Sequence, residues 1–144
     1  MRLATEPSLD PETYPFHHRL RVRFAETDAM GIVHHSRYAP YLEEARVEFL
    51  RAIGRPYTAW REAGLDAAVL ELWVQYRQPL HFDDVVDVHV RLATATRATF
   101  EMAYLLTVGG RVHARAVTVH GCVTTDGRPT RLPAWLPELV ADAR

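Results

Sequence analysis

The spacing of apolar residues changes twice along the chain, and this change limits the fold more than any other feature. Over residues 17–26 apolar side chains recur at every second position, which is typical of a half-buried strand. Over residues 36–53 they recur at every third or fourth position, which predicts a helix with one apolar face. Beyond residue 64 the period returns to two, so one long helix must cover the apolar face of a sheet.

Cap and turn residues mark the ends of these elements. Ser36 is a candidate N-cap of the long helix, Pro40 fits only its first turn, and Gly54 predicts its C-terminal end. The other predicted elements are a short helix at 57–62, strands at 68–76, 86–92, 100–106 and 112–125, and a C-terminal helix at 132–143. The sequence therefore predicts an α+β domain in which a five-stranded antiparallel sheet wraps one long central helix.

Composition excludes several classes of protein. The chain has 144 residues, which suits one domain, and no apolar run approaches the ~20 residues of a membrane span. A formal net charge of −1 gives no electrostatic basis for nucleic-acid binding. Residues 1–14 are polar and lack a signal-peptide pattern, so we expect a flexible arm there and the domain at 15–144. A single cysteine, Cys122, fits a small core residue and a cytoplasmic location.

The junction between the first strand and the long helix carries the residues best suited to chemistry. Asp28 leaves the predicted strand, Gly31 permits a tight turn, and unpaired N–H groups of the helix start lie near His35. Such N–H groups stabilise a developing oxyanion, while a carboxylate acts as general base or nucleophile. A thiol leaving group, with a pKa near ~8.5, departs with little acid assistance. These parts are enough for thioester hydrolysis.

The segment Thr27-Asp28-Ala29-Met30-Gly31-Ile32-Val33-His34-His35, followed by Tyr38, resembles the signature of 4-hydroxybenzoyl-CoA thioesterase-like hotdog enzymes. It is most similar to their Tol-Pal-associated acyl-CoA thioesterase branch, over about residues 16–133. This resemblance implies a hotdog fold, an acyl-CoA or acyl-carrier-protein thioester as substrate, and no cofactor beyond the CoA of the substrate. It also implies a homodimer or homotetramer with its cleft between subunits.

The resemblance further implies roles for individual residues. Asp28 and His35 are the expected catalytic residues, with the His35 backbone N–H near the substrate carbonyl. The related branch often has tyrosine at the position of Phe24, whose ring cannot donate a hydrogen bond. The other expected substrate-binding and CoA-binding residues are Gly31, Val33, Ser36, Tyr38, Arg128 and Arg131. The two arginines are proposed for the CoA phosphates because guanidinium groups bind phosphate bidentately.

Simpler interpretations stay open for most of these residues. Asp28 fits a turn or cap, His35 fits a helix cap, and the arginines fit an ordinary surface. The candidates for lining an acyl pocket, or for packing in the core, are Tyr41, Trp60 and Trp73, and Glu44 is a minor candidate for reaching a neighbouring subunit's site. No metal-ligand spacing is present, so no metal site is expected. The alternatives to a thioesterase are a non-catalytic acyl-thioester-binding domain and a hotdog hydratase or dehydratase.

Overall fold

The structure is a computed structural model that describes residues 5–142. Its strands and helices are β1 Phe16–Arg21, α1 Tyr38–Ala52, α2 Tyr57–Glu62, β2 Leu65–Tyr76, β3 Val85–Ala95, β4 Thr99–Val108, β5 Arg111–Thr124 and α3 Trp135–Asp142. The five strands form one antiparallel sheet in the order β1-β3-β4-β5-β2. The predicted fold class, a five-stranded antiparallel hotdog sheet with one long helix against it, is confirmed.

Helix α1 is held to the sheet by its apolar face. Tyr41, Leu42, Ala45 and Phe49 recur at helical spacing and are buried against the inner face of the sheet. The helix packs mainly on β1 and β3 and leaves β2, at the opposite edge, poorly covered. The consequence is a row of exposed apolar side chains on β2, with exposed fractions near one half, at Val69, Leu70, Leu72 and Tyr76.

The first strand is shorter than its alternating pattern predicts. β1 ends at Arg21, and Phe24–Glu26 forms a 3₁₀ turn because the N–H groups of Glu26 and Thr27 bond back to Arg23 and Phe24. The turn reverses the direction of the side chains, so Phe24 is 74% exposed and packs edge-to-face on Phe82.

The start of the long helix also differs from the prediction. Ser36 is not the N-cap of α1, because it lies within a 3₁₀ turn, His35–Arg37, that precedes the helix. The Ser36 N–H donates to Nδ1 of His34 at 3.2 Å, so His34 is the capping residue of that turn. The predicted C-terminal end at Gly54 is confirmed, with φ at 77°.

The described part of the N-terminal segment contacts the outer face of the sheet. Tyr14 packs on Ala103 and Leu105, and the Arg115 guanidinium donates to the Pro7 carbonyl at 2.8 Å. The flexibility of residues 1–14 and the domain boundary at residue 15 stay predictions. Residues 1–4 lie outside the described residues, as does residue 143 of the predicted C-terminal helix.

A chain of buried hydrogen bonds crosses the core beneath α1. The Arg46 guanidinium donates to the Tyr104 hydroxyl at 3.1 Å, and the Tyr104 hydroxyl lies 2.7 Å from that of Thr118. The Thr118 hydroxyl lies 2.7 Å from Nε2 of His120, whose ring stacks on Phe100. Burial, with the nearby Arg46 charge, lowers the pKa of His120 to about 3. The imidazole is therefore neutral in the folded protein.

We expect His120→Gln to make the free energy of unfolding depend less on pH below pH 7 than it does in the wild-type protein. The unfolded chain protonates His120 below its ordinary pKa of 6.5, but the folded chain does so only near 3, so stability falls as the pH drops between these values. Relative to the variant, the wild-type protein should lose about 2–3 kcal/mol between pH 7 and pH 4.5. Denaturant unfolding at several pH values measures these free energies. Equal losses of unfolding free energy in the two proteins between pH 7 and pH 4.5 would contradict the prediction.

Candidate active site

A tight hairpin loop places Asp28 between β1 and α1. The Asp28 N–H donates to the Ile32 carbonyl, and the Gly31 N–H donates to the Asp28 carbonyl, both at 2.9 Å. Gly31 has φ at 79°, the left-handed region that this kind of loop requires of its last residue. The predicted tight turn at Gly31 is confirmed, and its structural role there is to close the loop.

The two carboxylate oxygens of Asp28 have different surroundings. Oδ1 accepts a hydrogen bond from the Met30 N–H at 2.9 Å, which is the side-chain turn expected of a loop aspartate. Within residues 5–142, Oδ2 has no hydrogen-bond or ion-pair partner, and the side chain is only partly buried. The simple interpretation as a turn residue therefore accounts for one oxygen and leaves the other available to a ligand.

The backbone at His35 offers a free donor. His35 is exposed and its ring lies against that of His34, with centroids 4.1 Å apart. The neighbouring N–H groups are bonded, that of His34 to the Glu26 carbonyl and that of Ser36 to Nδ1 of His34. No acceptor for the His35 N–H is found in the part of the chain that the structure describes. This group can bind a ligand oxygen at the first turn.

Asp28 and His35 line the same pocket, which has a volume of about 390 Å³. Val33 and Tyr38, two other predicted site residues, also line it, together with Tyr76 and Arg77 from the end of β2. The Tyr38 and Tyr76 rings meet edge-to-face at 4.8 Å, and burial raises the pKa of Tyr38 to about 12. The Tyr38 hydroxyl is thus protonated at neutral pH and can only donate or accept hydrogen bonds.

The structure does not bring all predicted site residues to this pocket. Gly31 and Ser36 lie beside it without lining it. Arg128 and Arg131 follow β5, where Thr124 pairs with Leu65, at the far end of β2 from Tyr76. That strand has 12 residues and spans about 36 Å, so neither arginine reaches Asp28 of its own chain. Their CoA-binding role stays a prediction that requires a second chain.

Glu26 is a buried carboxylate that supports the loop, and the sequence analysis missed it. Oε1 accepts from the Tyr41 hydroxyl at 2.7 Å and from the Arg23 N–H at 2.8 Å, which ties the loop to α1. Burial alone would raise the pKa of Glu26, but these hydrogen bonds outweigh burial and hold the pKa below its ordinary value. Strand parity could not have identified it, because Phe24 has the same parity as Glu26 and is 74% exposed.

The helix carboxylate that faces the β2 edge is Glu43 rather than Glu44. Glu44 is 2.6 Å from Nε2 of His18 on β1, on the side of the helix away from β2. Glu43 instead lines a groove between α1 and β2, together with Arg46. Arg77, which lines the Asp28 pocket, was also missed, because nothing in the sequence places the end of β2 beside that loop.

The aromatic candidates for an acyl pocket have separate positions. Trp60 lines a second cavity beneath α1, Trp73 lies under the Arg115 guanidinium, and Tyr41 bonds to Glu26. Cys122 is buried in the core, as predicted. Over residues 5–142, no cluster of His, Cys, Asp or Glu is arranged to hold a metal ion. Among the same residues, no helix combines the length and the hydropathy that crossing a membrane requires.

The sequence profile of the "Thioesterase-like superfamily" matches residues 22–141, which is most of the chain. The chain belongs to the thioesterase-like superfamily. It is 43% identical to a putative esterase of Aquifex aeolicus over 128 residues, covering 89% of this chain and 99% of the relative. A crystal structure of a hypothetical protein from the same organism superimposes with a TM-score of 0.82 at 43% identity and covers 88% of this chain and 99% of that one.

Other members of the thioesterase-like superfamily have names that state a reaction. A putative acyl-CoA thioesterase of Bacillus subtilis is 29% identical, covering 83% of this chain and 88% of its own. A 1,4-dihydroxy-2-naphthoyl-CoA hydrolase of Thermosynechococcus vestitus is 30% identical, covering 84% and 90%. The expected enzyme class, a thioester hydrolase, is confirmed by these relatives.

We expect Glu26→Gln to destabilise the protein by about 1–3 kcal/mol at pH 7, because charge-assisted hydrogen bonds from Arg23 and Tyr41 are weakened. The lowered pKa of Glu26 means that its carboxylate stabilises the fold above the ordinary value of 4.5 and that this contribution is lost on acidification. The difference between wild type and variant, measured by urea unfolding, should therefore shrink below about pH 4. A difference that does not change with pH would show that the charge of Glu26 is not involved.

Proposed function

We propose that the protein hydrolyses acyl-CoA thioesters, with the Asp28 carboxylate as general base or nucleophile. The observation that supports the proposal is the shared pocket, in which Oδ2 of Asp28 and the N–H of His35 both lack partners among the described residues. A carboxylate oxygen and a backbone donor on one cavity are the two groups that thioester hydrolysis requires.

In the proposed reaction, the thioester carbonyl oxygen accepts a hydrogen bond from the His35 N–H, which stabilises negative charge in the tetrahedral intermediate. Asp28 removes a proton from water as the water oxygen bonds to the carbonyl carbon. The carbon–sulfur bond then breaks, and the thiolate takes up the proton. Direct attack by Asp28 on the carbonyl carbon would instead expel the thiolate and give an anhydride, which water hydrolyses to the free acid and the Asp28 carboxylate. The proposal includes the His35 imidazole as a second catalytic group on the same pocket as Asp28.

The relatives support CoA as the carrier of the acyl group. The named relatives act on CoA thioesters, and a thioesterase of Thermus thermophilus, crystallised with coenzyme A and Zn, has a TM-score of 0.77 at 28% identity. An acyl-carrier-protein substrate, a place in the Tol-Pal-associated branch and a cytoplasmic location stay predictions.

The uncovered β2 edge supports a homodimer. A homotetramer would consist of two such dimers. β2 is a long edge strand with exposed apolar side chains, which is a template for pairing with another chain. Pairing of two β2 strands about a two-fold axis would join the sheets and cover Val69 and Leu72.

Such a dimer would also complete the active site. Antiparallel pairing sets the Tyr76 end of one β2 beside the Leu65 end of the other, where Arg128 follows β5. The Asp28 pocket of one protomer would then lie near Arg128 and Arg131 of the second protomer, in position to bind the CoA phosphates.

We expect Asp28→Asn to lower kcat by about 10²–10⁴-fold, because the amide oxygen cannot take a proton from water. Asn keeps the hydrogen bond to the Met30 N–H, so the loop and the melting temperature should be preserved. Thiol release from a panel of acyl-CoAs measures kcat. Asp83→Asn is a matched control, because Asp83 is an exposed carboxylate with φ at 71°, a conformation that Asn tolerates.

Three results would contradict this assignment in different ways. Full activity of Asp28→Asn would remove Asp28 from the reaction. An enoyl product without free thiol would indicate the hydratase or dehydratase alternative. Acyl-CoA binding by the wild-type protein without turnover of any substrate would indicate a non-catalytic binding domain.

We expect Leu72→Lys to dissociate the dimer, because it places a charge on an apolar surface that the partner would bury. Sedimentation equilibrium should show monomers, and kcat/KM should fall with the monomer fraction because the site spans two chains. Leu9→Lys, at an exposed leucine of the N-terminal segment, should change neither. An active monomeric Leu72→Lys protein would contradict the shared site.

A further inference from the structure

A second cavity, separate from the Asp28 pocket, lies between α1, α2 and the inner face of the sheet. It has a volume of about 260 Å³, and its walls are apolar or aromatic apart from Glu43 and Arg46. Trp60 of α2 and Phe100 and Met102 of β4 are among the residues that line it. The groove lined by Glu43, Arg46 and Leu72 continues it toward the β2 edge. This cavity can hold a compact apolar group that enters from the edge of the sheet.

Arg46 is the one strong hydrogen-bond donor among the charged residues of this wall. Its side chain is 14% exposed, yet the only hydrogen bond of its guanidinium within residues 5–142 is to the Tyr104 hydroxyl. The Glu43 carboxylate is 3.9 Å away and 70% exposed, so it neutralises the charge weakly. Guanidinium has five N–H donors, and a charge that is largely buried requires partners for them.

Among residues 5–142, the groups that are hydrogen-bonded to one another beneath Arg46 carry no negative charge. Guanidinium can only donate, so the Tyr104 hydroxyl accepts from it. The Tyr104 hydroxyl is hydrogen-bonded to that of Thr118, which is hydrogen-bonded to Nε2 of His120. The Tyr104 hydroxyl, the Thr118 hydroxyl and the His120 imidazole are all uncharged. Burial raises the pKa of Tyr104 and so keeps its hydroxyl protonated. Within residues 5–142, the remaining Arg46 donors therefore have no hydrogen-bond acceptor and are available to a ligand in the cavity.

We propose that the cavity receives the acyl group of the substrate and that Arg46 hydrogen-bonds to a hydroxyl or carboxylate oxygen on that group. The preferred substrate is then a compact acyl thioester with an oxygen substituent distant from the thioester. This inference rests on the thioesterase activity proposed above.

The two-fold pairing of β2 strands would connect the Asp28 pocket of one protomer with the cavity of the second. The Asp28 pocket adjoins Tyr76, whereas the cavity is lined by Ala67 and Val69, toward the other end of the strand. Antiparallel pairing places the Tyr76 end of one protomer beside this end of the second. A thioester held at Asp28 of one protomer thus extends its acyl group into the cavity of the other.

The test compares three acyl-CoAs of equal chain length: hexanoyl-CoA, 6-hydroxyhexanoyl-CoA and adipoyl-CoA. We expect the wild-type protein to prefer one or both oxygenated substrates in kcat/KM by about 10–100-fold, as a hydrogen bond to a charged group provides. Arg46→Met should reduce that preference to below about threefold by raising KM for the oxygenated substrates, while hexanoyl-CoA turnover is retained. A preference for 6-hydroxyhexanoyl-CoA reports on hydrogen bonding to Arg46. Any additional preference for adipoyl-CoA reports on charge attraction.

Two further variants separate substrate contact from a structural role. Tyr104→Phe removes the neutral acceptor of Arg46 but leaves the guanidinium, so the preference should be kept. Equal loss of preference in Tyr104→Phe and Arg46→Met would overturn the proposal. Arg51→Met, at an exposed arginine of the same helix, should behave as wild type. Should Arg46→Met fail to fold, Arg46→Gln replaces it, and an undiminished preference for adipoyl-CoA in that variant would overturn the proposal, because Gln lacks the positive charge.

Failure of this inference is distinguishable from failure of the proposed function. Equal wild-type hydrolysis of all three acyl-CoAs would overturn the role of Arg46 and leave the thioesterase in place. No hydrolysis of any of them would overturn the thioesterase. In that case calorimetric binding of adipoyl-CoA and hexanoyl-CoA to wild type and Arg46→Met decides the role of Arg46 separately, and equal affinities would overturn it.

Discussion

One helix cannot cover a five-stranded sheet, and most of the functional geometry depends on this mismatch. A helix is about 10 Å across, whereas five strands span about 20 Å between the first and the last. Because α1 lies over β1 and β3, the inner face of β2 is left exposed at Val69 and Leu72. The same gap forms the groove between α1 and β2 in which Glu43 and Arg46 lie. The exposed edge, the groove and the proposed partner surface therefore have a single cause.

In the proposed reaction, the loop before α1 combines a structural and a chemical task in a few residues. Oδ1 of Asp28 accepts a hydrogen bond within its own turn, which orients the carboxylate, while Oδ2 stays free to contact a ligand. Glu26 supports this arrangement, since its backbone carbonyl accepts from the His34 N–H and its side chain accepts from Tyr41 of α1. These contacts fix the loop to the helix start, and the free His35 N–H is held on the same pocket as Asp28. A rigid support of this kind positions both groups before substrate arrives.

The sequence predicted the order of the elements and the residues of the strand-to-helix loop, because each depends on local periodicity and turn chemistry. It failed where backbone hydrogen bonds override periodicity: Phe24 continues an inward-facing pattern, but the 3₁₀ turn carries it to the surface. It also could not reveal positions within one chain that depend on strand order. Arg77 lies near Asp28 and Arg128 far from it because β2 pairs with β5 at the edge of the sheet, and no local signal reports that pairing.

Glu43, Glu44 and Arg46 show why helix position alone does not assign a role. Glu44 turns to β1 and pairs with His18, whereas its neighbour Glu43 and the next-turn residue Arg46 turn to the β2 groove. A cationic side chain at that wall is costly in an apolar cavity, and replacing it by an apolar residue would cost the fold little. We attribute its position to a ligand rather than to stability, because the Tyr104 hydroxyl gives the guanidinium one acceptor without neutralising its charge. In the proposed acyl site, this charge is available to an oxygen of the acyl group.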